Sequence, residues 1–188
     1  MIKAIIFLGN PGISYLKTRH SIGFQLAYAL WDNAGWKEKF KALWQQTNFC
    51  GINLHLLMPQ TYMNKSGESV LAFLNFFKLD IQELLVVHDD LETPFGSILF
   101  KKGGGTAGHN GLRSIQRHLS SPNFYRLALG ISRPEKGDPA SYVLNRFSPL
   151  EESRLPELFL YTERYLKEIL PALPSDSSLP RRISVFNT

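Results

Sequence analysis

Cysteine is nearly absent. Cys50 is the only one in 188 residues, so no internal disulfide can form, and a cytoplasmic setting is the default expectation. No apolar run approaches the ~20 residues that a membrane-spanning helix needs. The opening stretch MIKAIIFLGNPG meets glycine and proline too early for a signal peptide. Internal repeats and low-complexity tracts are missing, which excludes solenoids and linkers. Acidic residues are in deficit, 16 against 21 Lys and Arg, with a sequence pI near 9.4. That surplus favours a polyanionic partner, although small groups carry it: Lys37, Lys39 and Lys41; Lys101 and Lys102; Arg113 and Arg117; Arg181 and Arg182.

Several chemical motifs are missing too. There is no GxxxxGK[ST] phosphate loop and no GxSxG nucleophile elbow. The five histidines show no HxH or HExxH spacing, and Cys50 has no cysteine partner, so no zinc motif is present. The stretch GGGTAGHNG (103–111) satisfies GxGxxG through Gly103, Gly105 and Gly108. A dinucleotide site would need an acid about 20 residues on, to hold a ribose hydroxyl. That region reads FYRLALGISR (124–133) and has none. The glycines then serve a loop with positive φ and close packing that aims His109 and Asn110. Asp89, Asp90 and Glu92 leave two readings open: an oxygen-rich metal site, or loop carboxylates facing solvent.

What is present is an ordinary globular composition, 44% apolar and 20% charged, long enough for one domain. Short runs rich in Ile, Val, Leu and Phe predict strands at 3–9, 53–59, 83–89, 97–102 and 125–131. One more within 37–50 would pair with 53–59 through Gly51. Apolar spacing predicts helices at 21–32, 67–78 and 110–119, and a long one at 150–170 that Pro156 could bend. The tail from 171 reads as loop, with a closing segment at ISVF. Interleaved strands and helices imply an α/β fold: a single-domain α/β/α sandwich with a twisted mixed, mainly parallel sheet.

Polar residues cluster where strands end: GNPGISYLKTRHSIG (9–23), PQTYMNKSG (59–67) and VVHDDLETP (86–94), with GGGTAGHNG following another strand. Ligands in open α/β sheets sit beyond the carboxyl ends of parallel strands. If the first three strands are parallel neighbours, one pocket gathers Asn10, His20, Asn64, Asp89 and Asn110. A neutral imidazole can take a proton from water, a carboxylate can hold its tautomer, and amides can donate to a transient oxyanion. Singly, each of these residues reads more simply as a cap, turn or surface group.

GNPG (9–12), YxxTRH (15–20), PxTYMNxSG (59–67), HDD (88–90) and GGGTAGHNG (103–111), in this order and spacing, resemble the signatures of bacterial peptidyl-tRNA hydrolases. The resemblance runs from Ile2 to about Glu168. It implies a monomeric α/β/α enzyme of translation that frees tRNA from prematurely released peptides, with no cofactor and no metal. It implies His20 as catalytic base with Asp89 as its partner, and Asn10, Asn64 and Asn110 positioning substrate and water. Tyr15, Met63 and His109 would line the peptide channel or its gate, and Gly108 and Gly111 would offer backbone contacts. Lys101, Lys102 and Arg113 are expected on tRNA phosphates. The segment 135–147 resembles a mobile lid, hinged at Gly137 and Pro139, with a short helix at 142–147. Ser21, Asp90, Ala107 and Ala128 depart from the family pattern. Two rivals stand beside this reading: a non-catalytic RNA-binding protein on the same scaffold, and a metal-dependent phosphoesterase using Asp89 and Asp90.

Overall fold

The computed structural model describes residues 1–31, 33–173 and 180–186. Its strands are β1 (Ala4–Phe7), β2 (Lys37–Lys39), β3 (Ala42–Phe49), β4 (Ile52–Pro59), β5 (Leu84–Asp90), β6 (Ser97–Lys102), β7 (Tyr125–Gly130) and β8 (Arg181–Ser184). Its helices are α1 (Ile13–Leu16), α2 (Ile22–Leu30), α3 (Ser66–Phe77), α4 (Asn110–Leu119), α5 (Pro139–Val143) and α6 (Pro149–Ala172). All strands join one sheet in the order β2-β3-β4-β1-β5-β7-β6-β8. Parallel pairing is confined to the centre, β4-β1-β5-β7, and the flanking pairs are antiparallel. Every residue of β1 and β5 is buried, as strands covered on both faces must be.

Two apolar clusters fill the two faces. Leu85 and Val87 turn toward α2 and α6 with Phe24, Leu26 and Leu158. Leu84 and Val86 turn toward α3 and α4 with Val70, Phe73 and Ile115. Each fully buried side chain of this kind contributes about 1.5–3 kcal/mol. Gly23 lets α2 touch the sheet: a Cβ there would lie 2.5 Å from the Leu8 carbonyl oxygen, backbone that cannot yield. Among the described residues no helix is long and apolar enough to cross a membrane.

Several expectations meet the structure with differences. The hairpin through Gly51 forms between β3 and β4, and β2 adds a separate short edge strand beyond it. α2 stops at Leu30, and position 32, inside the predicted helix, lies outside the described residues. α6 runs through Pro156 from a Ser148 N-cap with Glu151 closing a capping box. The lid helix begins earlier than 142, because Asp138 caps it by accepting from the Ala140 and Ser141 amides, with Pro139 next. The tail is more than loop: β8 pairs antiparallel with β6, while 174–179 and 187–188 lie outside the described residues.

Candidate active site

β4, β1 and β5 are parallel neighbours, so their carboxyl ends open onto one side of the sheet. A cavity of about 520 Å³ lies there, lined by Asn10, His20, Met63, Asn64, Asp89, Gly108, His109 and Asn110, among others. The five residues expected to converge do converge.

The pleat of β5 decides which way its polar end points. Leu85, Val87 and Asp89 share one side, so Asp89 faces α2, and His88 takes the α4 side. His20 sits in the 3-10 turn Arg19–Ser21 just before α2. Its Nδ1 lies 2.9 and 3.0 Å from the two Asp89 oxygens. A buried carboxylate accepts, so Nδ1 carries the proton and Nε2 keeps its lone pair. Burial alone would lower the His20 pKa, but the Asp89 charge and hydrogen bond more than offset it, and the net shift is upward. Burial would likewise raise Asp89; the adjacent His20 and His109 rings instead hold it well below the usual carboxylate range. His88 is pushed down to about 3, first by burial and then by the neighbouring His109 ring and Arg126 guanidinium, so it stays neutral. Its Nδ1 meets the Asp89 carbonyl oxygen at 2.7 Å.

The turn that holds His20 is itself fixed. The Asn10 backbone N–H donates to Ser21 Oγ at 3.1 Å, and Thr18 Oγ1 donates to the Tyr15 carbonyl at 2.7 Å. Arg19 points away from the cavity, between Glu151 (2.7 Å) and the rings of Tyr142 and Phe147. It also donates to the Arg146 carbonyl and so ties the end of the 135–147 segment to the turn beside His20.

The glycine stretch is placed unlike the other polar clusters. β6 runs antiparallel to β7 and ends beside Tyr125, at the far edge of the sheet. Residues 103–109 therefore cross the face of the sheet before α4 starts at the cavity. Positive φ at Gly103, Gly104 and Gly108 shapes that path. The expected close packing is absent at Gly104, Gly105 and Gly108, where an added Cβ would meet open space. What supports the loop is Arg126 of β7, fully buried, which donates to the Gly105 and Gly104 carbonyls at 2.7 and 2.9 Å. A lone arginine in the apolar run YRLALG was the only hint in the sequence.

Not every expected residue lines the cavity. Tyr15 stands one ring behind, meeting the lining Tyr62 edge-on at 6.3 Å. Gly111 is a packing glycine, its Cα facing Met63 and Leu8. Lys101 lines the cavity, but Lys102 is its neighbour in a strand and so turns to the other face, over the Tyr125 ring. Arg113 lies with Arg117 in a shallow groove along α4 that shares Thr106 with the cavity. Sequence reasoning missed the lid's contribution of Pro139, Ala140, Val143 and Leu144 to the wall.

The carboxylate cluster proposed for a metal is dispersed. Asp90 also lines the cavity, but its side chain alternates with that of Asp89 along β5, accepts from Thr93 at 2.6 Å and is buried rather than solvent-facing. Glu92 pairs with Arg133. The donor atoms of His20, Asp89 and His109 do lie within 4.8 Å of one another. Their facing atoms lie at hydrogen-bond distance, each histidine contributing a nitrogen 2.9 Å from Asp89 Oδ1.

A sequence model of the family described as "Peptidyl-tRNA hydrolase" matches residues 4–179. The chain belongs to the peptidyl-tRNA hydrolase family. It is 45% identical over 189 residues to the peptidyl-tRNA hydrolase of Geotalea daltonii, covering 99% of this chain and 96% of that protein. The Geobacter metallireducens protein is 42% identical, with 98% and 94% covered. The crystal structure of the Acinetobacter baumannii peptidyl-tRNA hydrolase superimposes with a TM-score of 0.79 at 36% identity, over 93% of this chain and 89% of that one. The chain is thus an enzyme of the peptidyl-tRNA hydrolase class.

Proposed function

We propose that the enzyme cleaves the ester between a peptide, or an N-blocked aminoacyl group, and the 3′ ribose of tRNA, with His20 as general base. One observation carries this: Asp89 grips Nδ1 of His20, which leaves Nε2 of the neutral ring as the free acceptor in a cavity also lined by Asn10, Asn64 and Asn110. Nε2 takes a proton from water as the water oxygen bonds to the acyl carbon. Negative charge collects on the carbonyl oxygen, where an asparagine amide donates without adding charge of its own. One such donor can be worth ~3 kcal/mol in the transition state. The ester bond then breaks, and the imidazolium returns its proton to the departing 3′ oxygen. Asp89 stabilises that imidazolium throughout.

Lys101 at the cavity mouth and Arg113 in the adjoining groove suit phosphates of the tRNA acceptor arm, contacts that set position and not sequence. The open cavity suits a peptide read through its backbone. No cofactor or metal takes part in this scheme, and the enzyme works as a cytoplasmic monomer in recycling tRNA. The test is incubation of catalytic amounts of purified protein with N-acetyl-aminoacyl-tRNA. Release of free tRNA that persists in EDTA is expected. An intact ester would point to a non-catalytic RNA binder, and loss of turnover in EDTA to metal-dependent chemistry.

A further inference from the structure

His109 is more than cavity wall, because both of its nitrogens are engaged. Nδ1 lies 3.1 and 3.3 Å from the Gly111 and Leu112 amides and so caps α4. Backbone N–H groups only donate, so that nitrogen is bare and the ring proton sits on Nε2. Nε2 lies 2.9 Å from Asp89 Oδ1, the oxygen that also faces His20 Nδ1 at 2.9 Å. The two rings stand 4.8 Å apart, joined by one carboxylate.

We propose that His109 is a positioning residue: capping α4 through Nδ1 fixes its proton on Nε2, and that proton holds the Asp89 carboxylate in place for His20. This rests on the reading of His20 as the base. Two consequences follow. Asp89 cannot rotate away from His20 without breaking a second hydrogen bond. His109 also draws on the same negative charge, which tempers how strongly Asp89 favours protonated His20. The other charged or titratable groups facing the trio stay intact in the test below: His88 beneath His109, Arg126 under the loop, and Asp90, Lys101, Arg133 and Asp138 on the cavity wall.

His109→Asn separates capping from holding. Asparagine is a strong N-cap, so its oxygen replaces Nδ1. Its amide nitrogen falls near the imidazole Cδ2 position, short of Nε2, so the bond to Asp89 is lost. The titration of His20 is followed by histidine NMR, alongside the pH profile of kcat/KM on N-acetyl-aminoacyl-tRNA. Expected are a His20 midpoint displaced by at least a few tenths of a pH unit, an acid limb of kcat/KM displaced equally, and unchanged thermal stability. A His20 midpoint that stays put in a folded His109→Asn protein overturns the proposal. If that variant does not fold, long-range 1H–15N spectra of the native enzyme decide: His20 as the Nδ1–H tautomer and His109 as Nε2–H support it, and any other pairing overturns it. Should the native enzyme release no tRNA, the reading of function fails, while the NMR result still judges His109.

Discussion

Asn10 Oδ1 accepts the backbone N–H of Met63 at 2.8 Å, joining the loop after β1 to the turn after β4 across the cavity floor. That orientation leaves the amide nitrogen as the remaining donor. Asn10→Asp keeps the acceptor and loses the donor. It should therefore preserve the thermal midpoint yet lower kcat by about 10-fold or more, the scale of one transition-state donor. Equal losses in stability and rate would assign Asn10 a purely structural part.

Replacement of the base gives a different signature. His20→Ala should reduce kcat by ~100-fold or more and leave tRNA affinity nearly unchanged. Single-turnover kinetics with a filter-binding measurement separate the two. Retention of most of the rate moves the base elsewhere.

Lys101 and Lys102 test the pleat of β6. Lys101→Ala should weaken tRNA binding and flatten its logarithmic salt dependence by about one unit. Lys102→Ala, on the opposite face, should do neither. Binding isotherms at several salt concentrations compare them, and equal effects would contradict the placement.

Gly111→Ala forces a Cβ within 2.5 Å of Met63 Sδ and 2.9 Å of Leu8 Cδ1. Overpacking of this kind costs about 1–3 kcal/mol. Chemical denaturation should report that loss, with a rise in KM as Met63 is displaced into the cavity.

Acid stability should carry the mark of His88. Its folded pKa, near 3, lies below the unfolded value, so between about 6.5 and 3 the unfolded chain binds a proton that the native chain refuses. Stability then falls as pH drops through that window, by roughly 1.4 kcal/mol per pH unit for one proton. His20 is shifted the other way, so its contribution is present below the unfolded pKa and lost as pH rises through the folded one. His88→Leu should flatten the acid slope by about one proton in denaturation curves taken from pH 7 to 4.

Much of the site was legible because strand ends are legible. Apolar runs stopped at polar clusters after Phe7, Pro59 and Val87, and parallel pairing of those strands was enough to bring Asn10, Asn64 and Asp89 together. The helix of Asn110–Leu119 matched its pattern because one face is apolar and most of the rest polar. β8 was caught only in part, as the closing segment expected at ISVF, because RRIS alternates exposed and half-buried residues and depends on an edge of β6 far away in sequence. The crossing of 103–109 was missed for a similar reason: its support comes from Arg126, some twenty residues onward. Histidine is not a usual cap, so nothing local announced the role of His109 at α4.

Arg126 carries its charge with no exposed surface and no acid as a hydrogen-bond partner, only two carbonyls and the face of Phe124. Mobile counterions gather around lysines at the rim, but they cannot enter a sealed interior. The attraction that this guanidinium exerts on an approaching anion is therefore less exposed to ionic strength than any contact made at the surface. Added salt would therefore weaken a contact made by Lys101 before it weakened the pull of Arg126 from beneath the glycine loop.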